Sequence, residues 1–165
     1  MYIVDVGKRN FLRTFVRHAN QSNSIPRTVP RPPTAQEEKQ YIQLCTGCGE
    51  CVSVCPNSIV TVQNQLAEID LELNYCSHCH ECQRACPTLA LSHSISDCSL
   101  RPTITSNCNP QMAFYCAECQ NVCPVGAISV NKNSKPDIEL DLCNGCNLCQ
   151  YHCPVSAITI SMKNY

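Results

Sequence analysis

The chain has 165 residues, of which 17 are cysteine, three are phenylalanine and none is tryptophan. The formal charge of −1 hides an asymmetry, because residues 1–33 hold six of the 12 basic residues but only one of the 13 acidic residues. An acidic body argues against nucleic-acid binding, and the lack of a long apolar run argues against membrane insertion.

Residues 1–40 are predicted to form a basic, proline-rich tail. Four prolines favour extended structure over helix, namely Pro26, Pro30, Pro32 and Pro33. The segment Gly7–Arg13 resembles a twin-arginine export motif with Lys8 in place of the first arginine, but the residues after it are too few and too polar for an export signal. Two interpretations are therefore open, a partner-docking tail and a disordered basic arm.

Sixteen of the cysteines fall into four groups of four. Three groups have the spacing C-x2-C-x2-C-x3-C-P, and the third group has x7 in place of the first x2. The groups are Cys45, Cys48, Cys51 and Cys55; Cys76, Cys79, Cys82 and Cys86; Cys108, Cys116, Cys119 and Cys123; and Cys143, Cys146, Cys149 and Cys153. This is the spacing of bacterial iron–sulfur ligands, and it predicts four [4Fe–4S] clusters.

Two other uses of cysteine fit this pattern less well. A disulfide framework is typical of small secreted chains, and no secretory signal is visible here. Zinc takes four tetrahedral ligands, usually from two C-x2-C pairs, and a run of three cysteines plus Cys-Pro does not divide into such pairs. The longer gap of the third group leaves open that its cluster is labile or absent. A domain this small has little hydrophobic core, so metal ligation is expected to supply much of its folding free energy. The chain without iron is therefore expected to be poorly folded.

In two-cluster ferredoxins the fourth cysteine of each run ligates the other cluster, so we predict crossed ligand sets. The proline after it favours the first position of a helix, and we expect the fourth cysteine at a helix N-terminus, where the dipole favours a thiolate. The predicted sets are Cys45, Cys48, Cys51 and Cys86; Cys76, Cys79, Cys82 and Cys55; Cys108, Cys116, Cys119 and Cys153; and Cys143, Cys146, Cys149 and Cys123.

The cysteine runs and the segments between them predict an α+β fold of two tandem ferredoxin-like modules with small β-hairpins and short helices. Alternating segments predict strands at Ala67–Leu73 and Asp137–Leu142, and Asn64 predicts a turn. The predicted units are the tail at 1–40, the first module at 41–95, a connector at 96–107 and the second module at 108–165.

Cys98 stands apart from the four groups, in the connector. We interpret it as a non-ligand, with redox sensing or a reserve ligand for the third cluster as alternatives. Histidine can bind iron, but sixteen cysteines already fill the ligand positions, so His78, His80 and His152 are interpreted as loop-surface residues or hydrogen-bond donors near the clusters.

The chain resembles the NapF family of ferredoxin-type accessory proteins. The resemblance is carried by Lys8-Arg9, by Pro30–Pro33, by the x7 gap between Cys108 and Cys116, and by the last run, which continues into Cys153-Pro-Val-Ser-Ala-Ile-Thr. It implies a cytoplasmic iron–sulfur protein, not itself an enzyme, that contacts the catalytic subunit of periplasmic nitrate reductase and assists its maturation, or supplies it with electrons, before export. The alternative is a general soluble polyferredoxin or the electron-transfer subunit of another oxidoreductase.

Overall fold

The computed structural model describes residues 25–108, 116–132 and 134–163. Over these ranges, short helices and strands are joined by the cysteine-containing loops. The α-helices are α1 (Glu38–Leu44), α2 (Glu50–Ser53), α3 (Glu81–Ala85), α4 (Glu118–Asn121) and α5 (Leu148–Tyr151), and a 3₁₀ turn covers Leu89–Leu91. The strands are β1 (Val60–Gln63), β2 (Leu66–Ile69), β3 (Leu100–Ile104), β4 (Ile128–Ser129), β5 (Asp137–Ile138) and β6 (Ile158–Met162).

The described strands pair in antiparallel twos: β1 with β2, β3 with β6, and β4 with β5. Asn64 and Gln65 join β1 to β2 with φ angles of 49° and 63°. Two successive left-handed residues match the twist of a two-residue hairpin, and asparagine tolerates this conformation better than most residues. The turn predicted at Asn64 is confirmed, and short antiparallel pairs with few helices agree with the predicted α+β class.

Two predicted strands are shorter than expected. The first was predicted over Ala67–Leu73, but β2 ends at Ile69, because the side chain of Asp70 accepts a hydrogen bond from the Glu72 backbone at 2.9 Å and turns the chain. The second was predicted over Asp137–Leu142, but β5 ends at Ile138. There the Leu142 and Cys143 N–H groups donate to the Glu139 carbonyl, at 3.1 and 3.2 Å, and form a turn before the last cysteine loop.

The predicted connector, residues 96–107, contains strand β3. Leu100 lies opposite Met162 and Ile104 lies opposite Ile158, so β3 pairs along its whole length with the final strand β6. Pro102 is tolerated within β3 because each strand of a two-stranded sheet has one open edge. Residues 100–104 of the predicted connector are therefore a strand paired with β6 and not only a link.

The described part of the predicted tail, residues 25–40, is folded onto the first module. Arg31 is only 3% exposed and Glu38 only 6%, and Arg31 Nη2 donates to Glu38 Oε1 at 2.6 Å. The same guanidinium donates from Nη1 to the Ala67 carbonyl at 3.2 Å and lies 5.1 Å from the centre of the Tyr41 ring. A buried charge persists only where partners replace water, and these contacts hold residues 31–40 against the first module.

The extended proline segment also supplies backbone pairing. The Ile69 N–H donates to the Pro30 carbonyl at 3.0 Å, and the His93 N–H donates to the Thr34 carbonyl at 2.9 Å. Residues 30–34 therefore lie between the end of β2 and the segment that follows the 3₁₀ turn. Within the described ranges, no helix is long and apolar enough to cross a bilayer.

Candidate metal centres

Each regular cysteine run curls through two left-handed residues, one on each side of its second cysteine. These residues have φ between 49° and 81°, and they are Gly47 and Gly49, His78 and His80, and Gly145 and Asn147. At Gly47 and Gly145 a Cβ would also lie 2.7 Å from a backbone carbonyl oxygen, so only glycine fits without a shift of the chain. The two left-handed turns bring the three thiols of a run to one side of its loop.

A one-turn helix follows each loop and ends one or two residues before the fourth cysteine. The third cysteine of every run is buried and lies within the helix. The N–H groups of two fourth cysteines, Cys55 and Cys86, donate to the carbonyls of Val52 and Gln83 at 3.4 and 3.3 Å. The fourth cysteine therefore lies at the C-terminal end of a helix, and the prediction that it occupies a helix N-terminus is wrong. The left-handed residue before Glu50 or Glu81 starts the helix, and the proline after the fourth cysteine begins a turn.

Four cavities lie against these loops, and each is lined by four cysteines. Three of the four come from one run and the last comes from the neighbouring run. The four sets are Cys45, Cys48, Cys51 and Cys86; Cys55, Cys76, Cys79 and Cys82; Cys108, Cys116, Cys119 and Cys153; and Cys123, Cys143, Cys146 and Cys149. The structure thus brings together the same groups as the crossed sets predicted from the repeats.

The donor set of each cavity fits an iron–sulfur cubane. Four thiols are the ligands that a [4Fe–4S] cluster takes, one for each iron. The rest of the lining is mainly apolar, as in the first cavity, where Val62, Ala67 and Leu91 lie beside the cysteines. Apolar walls keep water from the sulfurs and are one of the means by which a protein sets the potential of such a group.

The sequence matches a family model described as "4Fe-4S dicluster domain" twice, over residues 44–90 and 114–157. A second model with the same description matches residues 11–60. This chain belongs to the 4Fe-4S dicluster family. It is also similar to a protein of Haemophilus influenzae named "Uncharacterized protein", with 37% identity over 142 residues that cover 86% of this chain and 82% of that one.

The chain therefore carries tandem ferredoxin-type dicluster domains, which we call the first domain (residues 44–90) and the second domain (residues 114–157). Proteins with these domains bind [4Fe–4S] clusters, and two dicluster domains correspond to four clusters. Domains of this type typically transfer electrons. The first and second cavities lie at the first domain, and the third and fourth lie at the second domain, with Cys108 reaching the third cavity from just before residue 114.

Burial strongly affects four of the predicted ligand thiols. It raises the pKa of Cys51 and of Cys146 to about 11, and it raises the pKa of Cys82 and of Cys149 to about 12. Desolvation disfavours the thiolate, so these groups hold their protons until iron displaces them. Binding of a cluster would release these protons and place charged sulfurs in the apolar cavities.

Backbone donors reach some of the predicted ligand sulfurs. The Ala127 N–H donates to Cys123 Sγ at 3.3 Å, and the Ala157 N–H donates to Cys153 Sγ at 3.2 Å. In the first domain the His78 N–H donates to Cys76 Sγ at 3.4 Å. Hydrogen bonds to sulfur stabilise the thiolate and raise the reduction potential of a bound cluster.

The third cavity is the widest of the four. Its empty space, part of which opens to solvent, is about 1100 Å³, against about 340 to 370 Å³ for the other three. Cys108 and Cys116 line it together, although the seven residues between them span positions 109–115, which lie outside the described ranges. The x7 gap thus still delivers its first cysteine to the same cavity as the rest of its set.

Cys98 lies outside the four sets and is fully buried against Cys76 and His78. The ligand atoms of these three residues lie within 4.8 Å of one another. Cys98 Sγ lies 3.9 Å from His78 Nε2, and the interaction between the Cys98 and Cys76 side chains lowers the pKa of Cys76 and raises that of Cys98. Its packing beside a predicted ligand could not be read from the sequence, because the two residues are separated by 22 positions.

The three histidines have different surroundings. His78 is partly buried, its Nδ1 lies 2.8 Å from Ser96 Oγ, and burial lowers its pKa. His80 Nδ1 lies 3.0 Å from Gln83 Oε1, in the helix that begins directly after His80. His152 is exposed and packs against the ring of Tyr151, with ring centres 5.2 Å apart. Their positions agree with the interpretation as loop and hydrogen-bonding residues.

Proposed function

We propose that the protein is a ferredoxin-type electron carrier in which sixteen cysteines hold four [4Fe–4S] clusters in crossed sets. One observation carries this proposal: each of the four cavities is lined by three cysteines of one run and one of the neighbouring run. When bound, each cluster supplies a site that gains or loses one electron. The proposal makes the chain a carrier and not an enzyme.

The residues of the chain have three tasks in this proposal. The thiols bind iron, the backbone N–H groups of Ala127 and Ala157 donate to ligand sulfurs, and apolar side chains such as Val62 and Ile128 limit the access of water. Tyr41 lines the first cavity. Its buried hydroxyl donates a hydrogen bond to the Ala67 carbonyl at 2.7 Å, which holds the ring in place. A packed, largely apolar frame of this kind suits electron transfer, which requires little movement of the protein.

Reversible reduction tests the carrier proposal. After anaerobic reconstitution with iron and sulfide, dithionite should bleach the visible absorbance, and an oxidising dye such as thionine should restore it. About four electrons per chain are expected, one for each cluster. Bleaching that does not reverse, or a chain that binds zinc and takes up no electrons, would contradict the proposal.

We further propose that the electrons or clusters serve the maturation of a client of the nitrate reductase type in the cytoplasm. The support is the NapF resemblance and the basic segment at the start of the chain, where Arg9 and Arg13 flank Phe11 and Leu12. Basic residues can pair with acids on a client, and an apolar stripe can order as a helix on binding. A reducing compartment also suits iron–sulfur thiolates.

Deletion of residues 1–20 tests the client proposal. We expect the iron content to stay unchanged, because every cysteine lies beyond the deletion, while co-purification with the nitrate reductase catalytic subunit falls about tenfold or more. Fractionation of cells should place the intact protein in the cytoplasm. Undiminished co-purification would move the interaction to the cysteine-rich body, and the absence of any client in both forms would favour a general polyferredoxin.

A further inference from the structure

The two dicluster domains meet through the loops that carry Cys76 and Cys146. The Cys76 N–H donates to the Cys146 carbonyl at 2.9 Å, and the Cys98 N–H donates to the Asn144 carbonyl at 3.0 Å. Cys76 is 7% exposed, Cys146 8% and Cys98 0%, so protein and not solvent fills the space between the two loops. A loop of one domain thus lies directly on a loop of the other.

Side chains hold this contact in place. Asn147 is buried, and its Nδ2 donates to the Leu71 carbonyl at 2.7 Å and to the Asn74 carbonyl at 3.1 Å. At the edge of the contact, the rings of Tyr75 and Tyr151 meet edge to face with their centres 5.1 Å apart. Buried hydrogen bonds and aromatic contacts of this kind fix the relative position of two surfaces.

The contact determines which cavities are neighbours. Cys76 lines the second cavity and Cys146 lines the fourth, so these two adjoin across the domain boundary. Within each domain the cavities are already joined, because the fourth cysteine of each run lines the cavity of the other run. The order along the molecule is therefore first, second, fourth and third cavity.

We infer that the Cys76–Cys146 contact is the bridge over which one-electron exchange takes place between the two domains. The inference rests on the proposed carrier function. In the exchange, one domain is oxidised by one electron and the other is reduced by one electron, and no bond or proton changes. The first and third cavities are then the ends of the array, where a one-electron donor protein and a one-electron acceptor protein would approach.

Asn147 offers a test that leaves the ligand loops intact. Its φ of 70° suits glycine, and Gly49 already occupies the equivalent position in the first run. Asn147→Gly therefore suits the loop conformation and removes the two hydrogen bonds to the first domain. His80→Gly is the matched control, because His80 has a φ of 62° at the same position of its run and its side chain contacts Gln83 of its own helix.

The experiment uses the reconstituted full chain and two readouts. In Asn147→Gly, hydrogen exchange at the Cys76 amide should be about tenfold faster, since two buried hydrogen bonds are lost, while His80→Gly should match the parent. The second readout is EPR of the dithionite-reduced protein. The fraction of molecules whose signals show magnetic coupling between domains should fall in Asn147→Gly. It should fall by about half or more when Tyr151→Ala is added to that variant. Iron content should equal that of the parent in all variants.

Three results would overturn the inference. They are unchanged amide exchange in Asn147→Gly and in the double variant, faster exchange with unchanged magnetic coupling, and loss of iron in Asn147→Gly but not in His80→Gly. The last result would assign Asn147 to holding its ligand loop. Failure of the carrier function is distinguishable, because the parent chain would then take up no electrons from dithionite.

Discussion

Replacing Cys86 with alanine is expected to disturb the cluster of the first run and not that of its own run. Cys86 lines the cavity of Cys45, Cys48 and Cys51, so loss of its thiol leaves that set with three ligands. We expect iron to be lost from this site and these three thiols to react with iodoacetamide about tenfold faster or more, because thiolates released from iron become accessible.

Cys55→Ala is the reciprocal variant and the control. Cys55 lines the cavity of Cys76, Cys79 and Cys82, so alkylation should increase there and stay low at the first run. Peptide mapping by mass spectrometry after brief labelling measures both patterns at once. Increased labelling at Cys76, Cys79 and Cys82 in the Cys86→Ala variant would show that each run binds its own cluster.

A second large effect is expected at Glu38, the buried carboxylate beside the first domain. It pairs with Arg31 at 2.6 Å and with Arg27 at 3.1 Å, and all three side chains are at most 10% exposed. Glu38→Ala leaves two guanidinium groups without their buried partner, which costs about 3–5 kcal/mol. The urea midpoint of the reconstituted protein, followed by far-UV circular dichroism, should fall accordingly.

Glu81→Ala is the matched control for that variant. Glu81 is also the first residue of its helix and also pairs with an arginine, Arg84, but both side chains are exposed, at 46% and 60%. Exposed pairs are screened by water and contribute little, so its urea midpoint should match the parent. Equal midpoints for Glu38→Ala and Glu81→Ala would contradict the account of residues 25–40 as part of the folded module.

The grouping of the cysteines was predictable because it depends on local spacing. A gap of two residues limits how far apart two thiols can lie, and the Cys-Pro that ends each run recurs at a fixed distance. The turn at Asn64 was predictable for the same reason, since a residue that tolerates a left-handed conformation stands between two β-branched segments.

Other features depend on contacts between distant residues. Arg31 is buried because Glu38 and the Ala67 carbonyl receive its guanidinium, and Ala67 is 36 positions away. Strand β3 lacks a clear alternation and contains Pro102, and it exists because β6 lies beside it at the other end of the second module. No local pattern in the sequence indicates either partner.

The helix position was mispredicted for a third reason. A proline after the fourth cysteine is compatible with the start of a helix and with the start of a turn. What selects between them is the left-handed residue before the third cysteine, at Gly49 in the first run and at His80 in the second. Glycine signals that conformation in a sequence, whereas histidine does not, so only the comparison of runs could have found it.

The central claim, that four crossed sets of cysteines hold four clusters, is tested most directly by iron and acid-labile sulfide analysis of the anaerobically reconstituted chain. We predict about 16 iron and about 16 sulfide per chain, with all sixteen cysteines of the four sets protected from alkylation. A plateau at about 12 iron, with Cys108, Cys116, Cys119 and Cys153 freely alkylated, would contradict it, and so would a plateau at about 8 iron with two sets alkylated.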